Sequence, residues 1–343
     1  MGSAPASDTA PESFSTRTTA ASSSRKRPSL KNIASIAFLV VALALLLVAV
    51  YNQRSDFLAA ASRVRATDIA LSVTFGLVAL FIGTLAWREC IRATSSTSVP
   101  IRDAVSTVGI AGLGKYVPGA VWPIIAQTEM LGRHGIKRGQ AATGSALTLV
   151  VSTATAIVVG AVALFASGGS VIAYWWLIPV ALGCATLLLP PVLTRLLAAI
   201  SRLHNRFGGF ADIQVASAPM VRAVLLQSIS WVLWGLDTWV IFRALTPMRS
   251  APVPLSIGAF AIAWAVGFII VIAPGGIGPR EAALVALLAP VAGATDVLAL
   301  AVILRMLSIC LDIVAAGVGA AFRVFGRRVA FSGPGQTGEI GVS

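Results

Sequence analysis

The chain has 343 residues, of which 57% are hydrophobic and 11% are charged, and its mean hydropathy is +0.88. So few polar residues could not cover the surface of a water-soluble protein of this size, which excludes that class and indicates an integral membrane protein. The formal net charge of +13 favours contact with anionic lipid surfaces.

The N-terminal tail covers residues 1–29 and is expected to be disordered and cytoplasmic. Residues 1–24 are rich in Ser, Thr and Ala and hold too few large apolar side chains to form a core. Arg25, Lys26 and Arg27 then precede a long apolar run, which predicts an uncleaved signal anchor. A signal peptide cleaved near Ala59 to Ala61 is the alternative.

Long apolar runs predict an all-α polytopic membrane protein, because a helix needs about 20 apolar residues to cross the hydrocarbon layer. The transmembrane domain is expected at 30–325, followed by a disordered cytoplasmic tail at 326–343. Two apolar regions, 101–132 and 255–290, are interrupted by glycine and proline. The six predicted full spans lie at about 33–51, 67–87, 141–166, 172–194, 221–243 and 296–322.

The first interrupted region has basic residues on both flanks: Arg88, Arg92 and Arg102 before it, and Arg133, Lys137 and Arg138 after it. Cytoplasmic loops are enriched in Lys and Arg, so both ends are expected in the cytoplasm. Each arm of about 13 residues is about 20 Å long, too short to cross the membrane. We therefore predict a re-entrant hairpin. Its turn is shaped by glycine and proline, namely Gly112, Gly114, Pro118 and Gly119, and carries Lys115.

The second interrupted region, 255–290, is predicted to be a hairpin that opens to the outside. Its turn is shaped by Pro274, Gly275, Gly276, Gly278 and Pro279. The halves of the domain, about 30–168 and 169–325, then form an inverted repeat of two spans, a hairpin and a span. Secondary transporters commonly have this plan, with a binding site near the midplane between the broken helices.

An alternative topology replaces the second hairpin with three full crossings, at 255–272, 282–303 and 306–322. Pro290, Gly293 and Asp296 interrupt the middle crossing and disfavour it. The hairpin topology puts both termini and most of the 26 basic residues in the cytoplasm. It leaves one exception, the outer cluster of Arg54, Arg63 and Arg65, which the sequence does not explain.

Ionisable side chains at membrane depth cost at least about 2.5 kcal/mol each on insertion scales, so they usually face a cavity or a partner. The predicted set comprises Lys115, Glu129, Asp237, Arg280, Glu281, Arg305 and Asp312. Lys115 and Arg280 fall at the two hairpin turns, where free backbone N–H groups and a cation would form an anion site. Glu281 follows Pro279, which suits a helix cap as well as a ligand role.

Two interpretations of the remaining charges stay open. In the first, Asp237 and Arg305 form a structural pair, and Asp312 neutralises Arg280. In the second, Arg280 and Arg305 bind a phosphate that passes through the membrane, and the carboxylates hold them when the site is empty. Asp237, Glu281, Arg305 and Asp312 are therefore candidate site residues.

The two interrupted segments read GKYVPGAVWP (114–123) and APGGIGPREAAL (273–284). They resemble the G-K-Y-x-P-G and P-G-G-x-G-x-R-E stretches of the lysylphosphatidylglycerol synthase transmembrane, or flippase-like, family. The resemblance covers about 30–325 and implies movement of a lipid between leaflets of a bacterial plasma (inner) membrane. It also implies a set of residues that line or shape the lipid path: Lys115, Pro118, Gly119, Pro274, Gly275, Gly276, Gly278, Arg280 and Glu281.

The leading hypothesis is a lipid transporter or flippase that carries an anionic or lipid-linked headgroup through a midplane cavity, without enzymatic activity. We expect no cofactor, no metal and no nucleic-acid partner, and a membrane phospholipid or lipid-linked intermediate as the ligand. The chain ends about 20 residues after its last predicted span, so lipid synthesis is expected to belong to a separate lipid-modifying enzyme. The alternatives are an intramembrane lipid-modifying transferase and an accessory subunit of a lipid or envelope-synthesis enzyme.

Overall fold

The computed structural model describes residues 59, 62–116, 122–168, 174–203, 214–246, 252–270 and 278–331. In these ranges the regular elements are helical. They are α1 (Ala66–Ser95), α2 (Ile101–Gly112), α3 (Trp122–Leu131), α4 (Arg138–Ala166), α5 (Leu177–Leu187), α6 (Pro190–Leu203), α7 (Ser217–Leu245), α8 (Val253–Ile269), α9 (Pro279–Ala292) and α10 (Ala294–Phe331). Short 3₁₀ segments follow α2 and α3, at Leu113–Tyr116 and Gly132–His134.

Several predicted features lie outside the described residues. They are the tail at 1–29, the span at 33–51, Arg54, Pro118, Gly119, Pro274, Gly275, Gly276 and residues 332–343. By contrast, residues 326–331, predicted to be tail, continue the helix α10.

The long helices α1, α4, α7 and α10 are each long and apolar enough to cross a membrane. They confirm the predicted apolar spans near 67–87, 141–166, 221–243 and 296–322. Together with the bent pair α5 and α6, the described part of the chain contains four or five such segments. The protein is therefore an all-helical, multi-pass membrane protein.

The predicted span at 172–194 is not one continuous helix. This region forms α5 and α6, whose axes are bent by 83° at the break between them. The cause is the pair Pro190 and Pro191, because a proline ring clashes with the preceding helical turn and its nitrogen cannot donate a hydrogen bond. The bend turns α6, which is strongly amphipathic in sequence, away from the direction of α5.

The helices around Gly293 do not match the boundaries of the three-crossing alternative. The backbone of Gly293 has φ of 80°, a left-handed conformation that glycine adopts readily. It ends α9, and the next helix, α10, is continuous from 294 to 331. Instead of lying within one helix, the proposed middle crossing is divided between α9 and α10, and α9 packs against both α8 and α10.

The two halves pack against each other in a reciprocal manner. Helices α1 and α7, the first described long helix of each half, form the most extensive helix contact. The first hairpin arm of one half, α2, packs on the last helix of the other, α10; equally, α8 packs on α4. This exchange of arms is the contact pattern that an internal repeat would produce.

Glycines allow close approach along both exchanged contacts. A Cβ atom at Gly109 of α2 would lie 2.4 Å from the carbonyl oxygen of Ala315 in α10. At the equivalent contact, a Cβ atom at Gly258 of α8 would lie 2.6 Å from Leu164 and 3.0 Å from the carbonyl oxygen of Gly160 in α4. Small residues in membrane helices permit such backbone proximity and the van der Waals contact that stabilises it.

Ion pairs join α1 and α7 at both ends. Asp68 lies 3.5 Å from Arg243 at one end, and Glu89 lies 3.1 Å from Arg222 at the other. The two pairs are separated by 21 positions on each helix, or about 32 Å, which is close to the thickness of a hydrocarbon core.

Contacts of Arg63 explain part of the predicted outer cluster of arginines. Arg63 lies 3.4 Å from Asp296 at the start of α10 and donates a hydrogen bond of 2.7 Å to the carbonyl oxygen of Leu245 at the end of α7. The carbonyl groups at a helix C-terminus carry partial negative charge, so a cation is favourable there. Arg63 therefore connects two helix ends instead of standing as an unbalanced charge.

Candidate functional site

The two ends of the first interrupted segment lie next to each other. Asp103, near the start of α2, lies 3.6 Å from Arg133 and 3.5 Å from His134, which follow α3. At the other end, α2 passes into the 3₁₀ turn, where Gly114 packs against the start of α3: a Cβ atom there would lie 3.1 Å from the nitrogen of Pro123. Helices α2 and α3 therefore form a hairpin with Lys115 and Tyr116 at its turn.

Lys115 and Tyr116 both bind Asp312 of α10. The Lys115 Nζ atom lies 2.6 Å from Asp312 Oδ2, and the Tyr116 hydroxyl donates a hydrogen bond of 2.5 Å to the same oxygen. The Asp312 side chain is mostly buried, whereas that of Lys115 is 44% exposed. The Lys115 ammonium group is thus neutralised by Asp312, and a further ligand would compete with this carboxylate for it.

The second turn is organised by Gly278 and Glu281. Gly278 has φ of 96°, which favours glycine, and its N–H donates a hydrogen bond of 2.7 Å to Glu281 Oε2. The predicted capping role of Glu281 is therefore present. The other carboxylate oxygen, Oε1, lies 3.7 Å from Arg305 Nη1 of α10, so Glu281 also holds a cation.

Arg280 enters the interior between α8 and α9. Its guanidinium lies 4.8 Å from the ring centroid of Phe260, an attractive cation–π arrangement. Gly267 leaves room for the side chain, because a Cβ atom there would lie 2.9 Å from Arg280 Cβ. Phe260 stacks in turn on Trp234 of α7, with ring centroids 5.7 Å apart, so Arg280 rests on an aromatic wall.

Asp237 of α7 is buried, with 2% of its surface exposed. It accepts a hydrogen bond from the Ser72 hydroxyl of α1. Its charge also interacts electrostatically with that of Arg280. Asp237 therefore lies behind Arg280, on the side of the α1 and α7 pair.

Six charged residues form one cluster around the middle of α10: Lys115, Asp237, Arg280, Glu281, Arg305 and Asp312. Arg280 interacts electrostatically with Arg305, Asp312 and Asp237 as well as with its neighbour Glu281, and Lys115 interacts with Arg280 and Arg305. Arg305 and Asp312 are seven positions apart on α10, or about 10 Å along its axis. The two hairpin turns thus meet the same helix within about two turns of each other.

One predicted member of the set lies elsewhere. The Glu129 side chain is 60% exposed and lies 3.3 Å from Arg138, which is 81% exposed. This pair is at the open end of the first hairpin, away from the cluster. Glu129 stands two residues before α3 ends at Leu131, so it takes no part in the cluster at the two turns.

The structure pairs the remaining charges differently from the first interpretation above. Arg305 pairs with Glu281, and Asp312 with Lys115, where that interpretation paired Arg305 with Asp237. Sequence reasoning also missed Ser72, Tyr116 and Phe260. Tyr116 could have been found, since it lies in the G-K-Y stretch; Ser72 and Phe260 carry no signal, because only helix packing brings them to the cluster.

A buried carboxylate outside this cluster was also missed. Glu89 of α1 is surrounded by three arginines: Arg222 at 3.1 Å, Arg88 at 3.5 Å and Arg92 at 3.9 Å. Its side chain is 7% exposed. Sequence reasoning treated the arginines as loop charges and did not see that a glutamate beside them is enclosed by helix packing.

Comparison with known proteins agrees with the resemblance carried by the two interrupted segments. No curated protein matches the chain. The family model described as "Lysylphosphatidylglycerol synthase TM region" matches residues 32–316. This range contains both hairpins and all six charged residues of the cluster, and it covers most of the 343 residues. The chain therefore belongs to the lysylphosphatidylglycerol synthase transmembrane-region family.

Proposed function

We propose that this protein moves a lipid with an anionic headgroup between the two leaflets of the plasma membrane. In this proposal both hairpins are re-entrant, α2 and α3 from the cytoplasm and α8 and α9 from outside, and both termini are cytoplasmic. The charged cluster between the turns receives the headgroup, while the acyl chains stay in the lipid phase beside the helices.

One observation carries the proposal: three cations, Lys115, Arg280 and Arg305, meet in the interior where the two hairpin turns reach α10. Each cation is costly at membrane depth, and groups of this kind mark ligand or ion pathways in membrane proteins. A phosphate has several acceptor oxygens and suits guanidinium and ammonium donors. The membership of a lipid-related family supports a lipid as the carrier of that phosphate.

The turns also offer backbone donors. The first backbone N–H groups of α9 follow Gly278 and Pro279, and a helix N-terminus favours an anion. Glu281 already accepts a hydrogen bond from the N–H of Gly278, the residue just before the helix. An arriving phosphate would therefore exchange with carboxylates that hold the cations in its absence, as the second interpretation of the charges expects.

The test is headgroup translocation in vesicles that contain the purified protein and a fluorescently labelled phosphatidylglycerol. We expect Lys115→Gln and Arg280→Gln to reduce the initial rate at least tenfold. Arg138→Gln is the matched control, because it removes a cation from an exposed pair at the hairpin base and should leave the rate unchanged. Full activity of both site variants would refute the assignment.

A second measurement separates transport from lipid chemistry. Mass spectrometry of the vesicle lipids before and after the assay should show no covalent change, since we propose transport without enzymatic activity. The same analysis applied to lipids that copurify with the protein distinguishes a phospholipid from a polyprenyl-linked intermediate as the natural ligand. Appearance of a new lipid species would favour the transferase alternative.

A further inference from the structure

The formal charges of the cluster cancel. Its cations are Lys115, Arg280 and Arg305, and its carboxylates are Asp237, Glu281 and Asp312. The stretches next to the turns that the structure does not describe, 117–121 and 271–277, contain no ionisable residue. A monoanionic phosphodiester added to this cluster would therefore leave one unbalanced negative charge in a medium of low dielectric constant, which is costly.

We propose that the site takes up a monoanionic phosphodiester together with one proton, and that Asp237 accepts the proton. This inference rests on the proposed function and names the co-substrate of the same site. The step is a simple protonation: a proton leaves the aqueous phase and binds a carboxylate oxygen of Asp237. The cluster then holds three cations, two carboxylates and one phosphate charge, and it is neutral again.

The surroundings of the three carboxylates single out Asp237. Asp312 has an ammonium nitrogen at 2.6 Å, and Glu281 has a guanidinium nitrogen at 3.7 Å and a backbone N–H donor at 2.7 Å. In the described part of the chain Asp237 takes part in no ion pair within 4 Å, and its hydrogen-bond partner is the neutral hydroxyl of Ser72. Its ionised form is thus the least compensated of the three.

Among the described helices around Asp237, Arg280 of α9 supplies the charge that acts on it. Helix α1 presents Ser72, and Asp68, one turn away, binds Arg243. Helix α8 contains no ionisable residue of the Asp, Glu, Lys, Arg or His type, and the basic residue of α4, Arg138, stands at its first position. On α10, Arg305 pairs with Glu281 and Asp312 pairs with Lys115. The remaining charge is Arg280, which interacts electrostatically with Asp237.

Arg280 therefore couples the protonation of Asp237 to the binding of the phosphate. When the site is empty, its charge is shared among Asp237, Glu281 and Asp312. A phosphate bound to the guanidinium takes over this compensation, and the negative charge of Asp237 loses its one opposing charge. Protonation then removes a buried, uncompensated carboxylate, which is the usual response of such a group.

The experiment measures binding and proton uptake together. Purified full-length protein in detergent is titrated with dihexanoyl phosphatidylglycerol in weakly buffered solution with a pH indicator. At a pH where the carboxylate is ionised in the free protein, we expect about one proton taken up per lipid bound. Under the same condition the dissociation constant should rise about tenfold per pH unit. Asp237→Asn should bind the lipid with no proton uptake and with an affinity independent of pH.

Three controls limit the interpretation. Asp68→Asn removes a carboxylate from the same helix pair outside the cluster and should retain proton uptake. Dihexanoyl phosphatidylcholine has a zwitterionic headgroup and should bind without a proton. Diethyl phosphate tests a free anion: uptake of a proton at similar affinity would support the coupled site but assign it to a soluble phosphodiester instead of a lipid.

Several results would overturn the inference: no proton uptake by the wild type, uptake that persists in Asp237→Asn, uptake with the zwitterion, or no lipid binding. The translocation assay described above reports separately on the proposed function. Translocation without proton uptake would refute the inference and leave the proposed function standing. Proton-coupled binding without translocation would refute the proposed function and leave the coupled binding site standing. The pH dependence of the wild type gives an independent answer if Asp237→Asn does not fold.

Discussion

Lys115 and Asp312 belong to opposite halves of the chain, and their Nζ and Oδ2 atoms lie 2.6 Å apart. Because Tyr116 binds the same carboxylate oxygen, the turn of the first hairpin is fixed to the middle of α10. The position of the turn therefore depends on the charges of Lys115 and Asp312. It also makes Asp312 a group that a ligand must compete with to reach Lys115.

The first prediction concerns this pair. Lys115→Gln and Asp312→Asn should each lower the free energy of unfolding by roughly 1–3 kcal/mol, because each leaves a charge without its partner. The cost is smaller than for a fully buried pair, since the Lys115 side chain is 44% exposed and solvent screens the interaction. The double variant should cost less than the sum of the two, which a double-mutant cycle of unfolding in mixed micelles measures. Strictly additive effects would mean that the pair does not interact in the folded protein.

The second prediction concerns Glu89. Glu89→Gln should destabilise the protein by about 3 kcal/mol, since three arginines would lose their shared buried counter-charge. Glu129→Gln is a matched control because it breaks an exposed pair, and such pairs contribute about 0–1 kcal/mol. Thermal unfolding in detergent compares the two variants. Equal losses would contradict the burial of Glu89.

The third prediction concerns the glycine contacts between the halves. Gly109→Ala and Gly258→Ala should each destabilise by roughly 1–3 kcal/mol, because the added methyl group meets the facing helix. Gly183→Ala is the control: no atom lies within 4 Å of a Cβ there, and alanine favours the helix by about 0.5–1 kcal/mol. Unfolding temperatures of the three variants decide between these expectations.

The fourth prediction concerns topology. In a variant without Cys90, Cys184 and Cys310, single cysteines at Ser98 and Lys137 should both react with a membrane-impermeant maleimide from the cytoplasmic side. Single cysteines at Pro252 and Ala294 should both react from outside. These pairs flank the two hairpins, so labelling of the two members of a pair from opposite sides would show a full crossing instead of a re-entrant segment.

The sequence predicted the helices that hydropathy determines. The apolar runs that become α1, α4, α7 and α10 were found, because length and composition suffice for a membrane helix. The breaks at Gly112 and at Gly278 and Pro279 were also found, since glycine and proline interrupt helices by local chemistry. Near Pro190 and Pro191 the same chemistry was overlooked, because the apolar run continues across them.

The charged cluster could be predicted only as a set of residues. Lys115, Arg280 and Arg305 stood out because cations in apolar runs are rare. Their partners could not be assigned, since the pairing of Lys115 with Asp312 depends on α2 packing against the last helix of the other half. For the same reason Glu89 was missed: its burial results from the contact of α1 with α7, which local sequence does not determine.

The reciprocal exchange of hairpin arms has a consequence for biogenesis. Asp312 is translated long after Lys115, about 10–40 s later at ribosomal rates of roughly 5–20 residues per second. Until then the lysine has no acidic partner from α10, and the groove that will receive α2 does not yet exist. Docking of the first hairpin on α10 can therefore be completed only after the last helix has been synthesised.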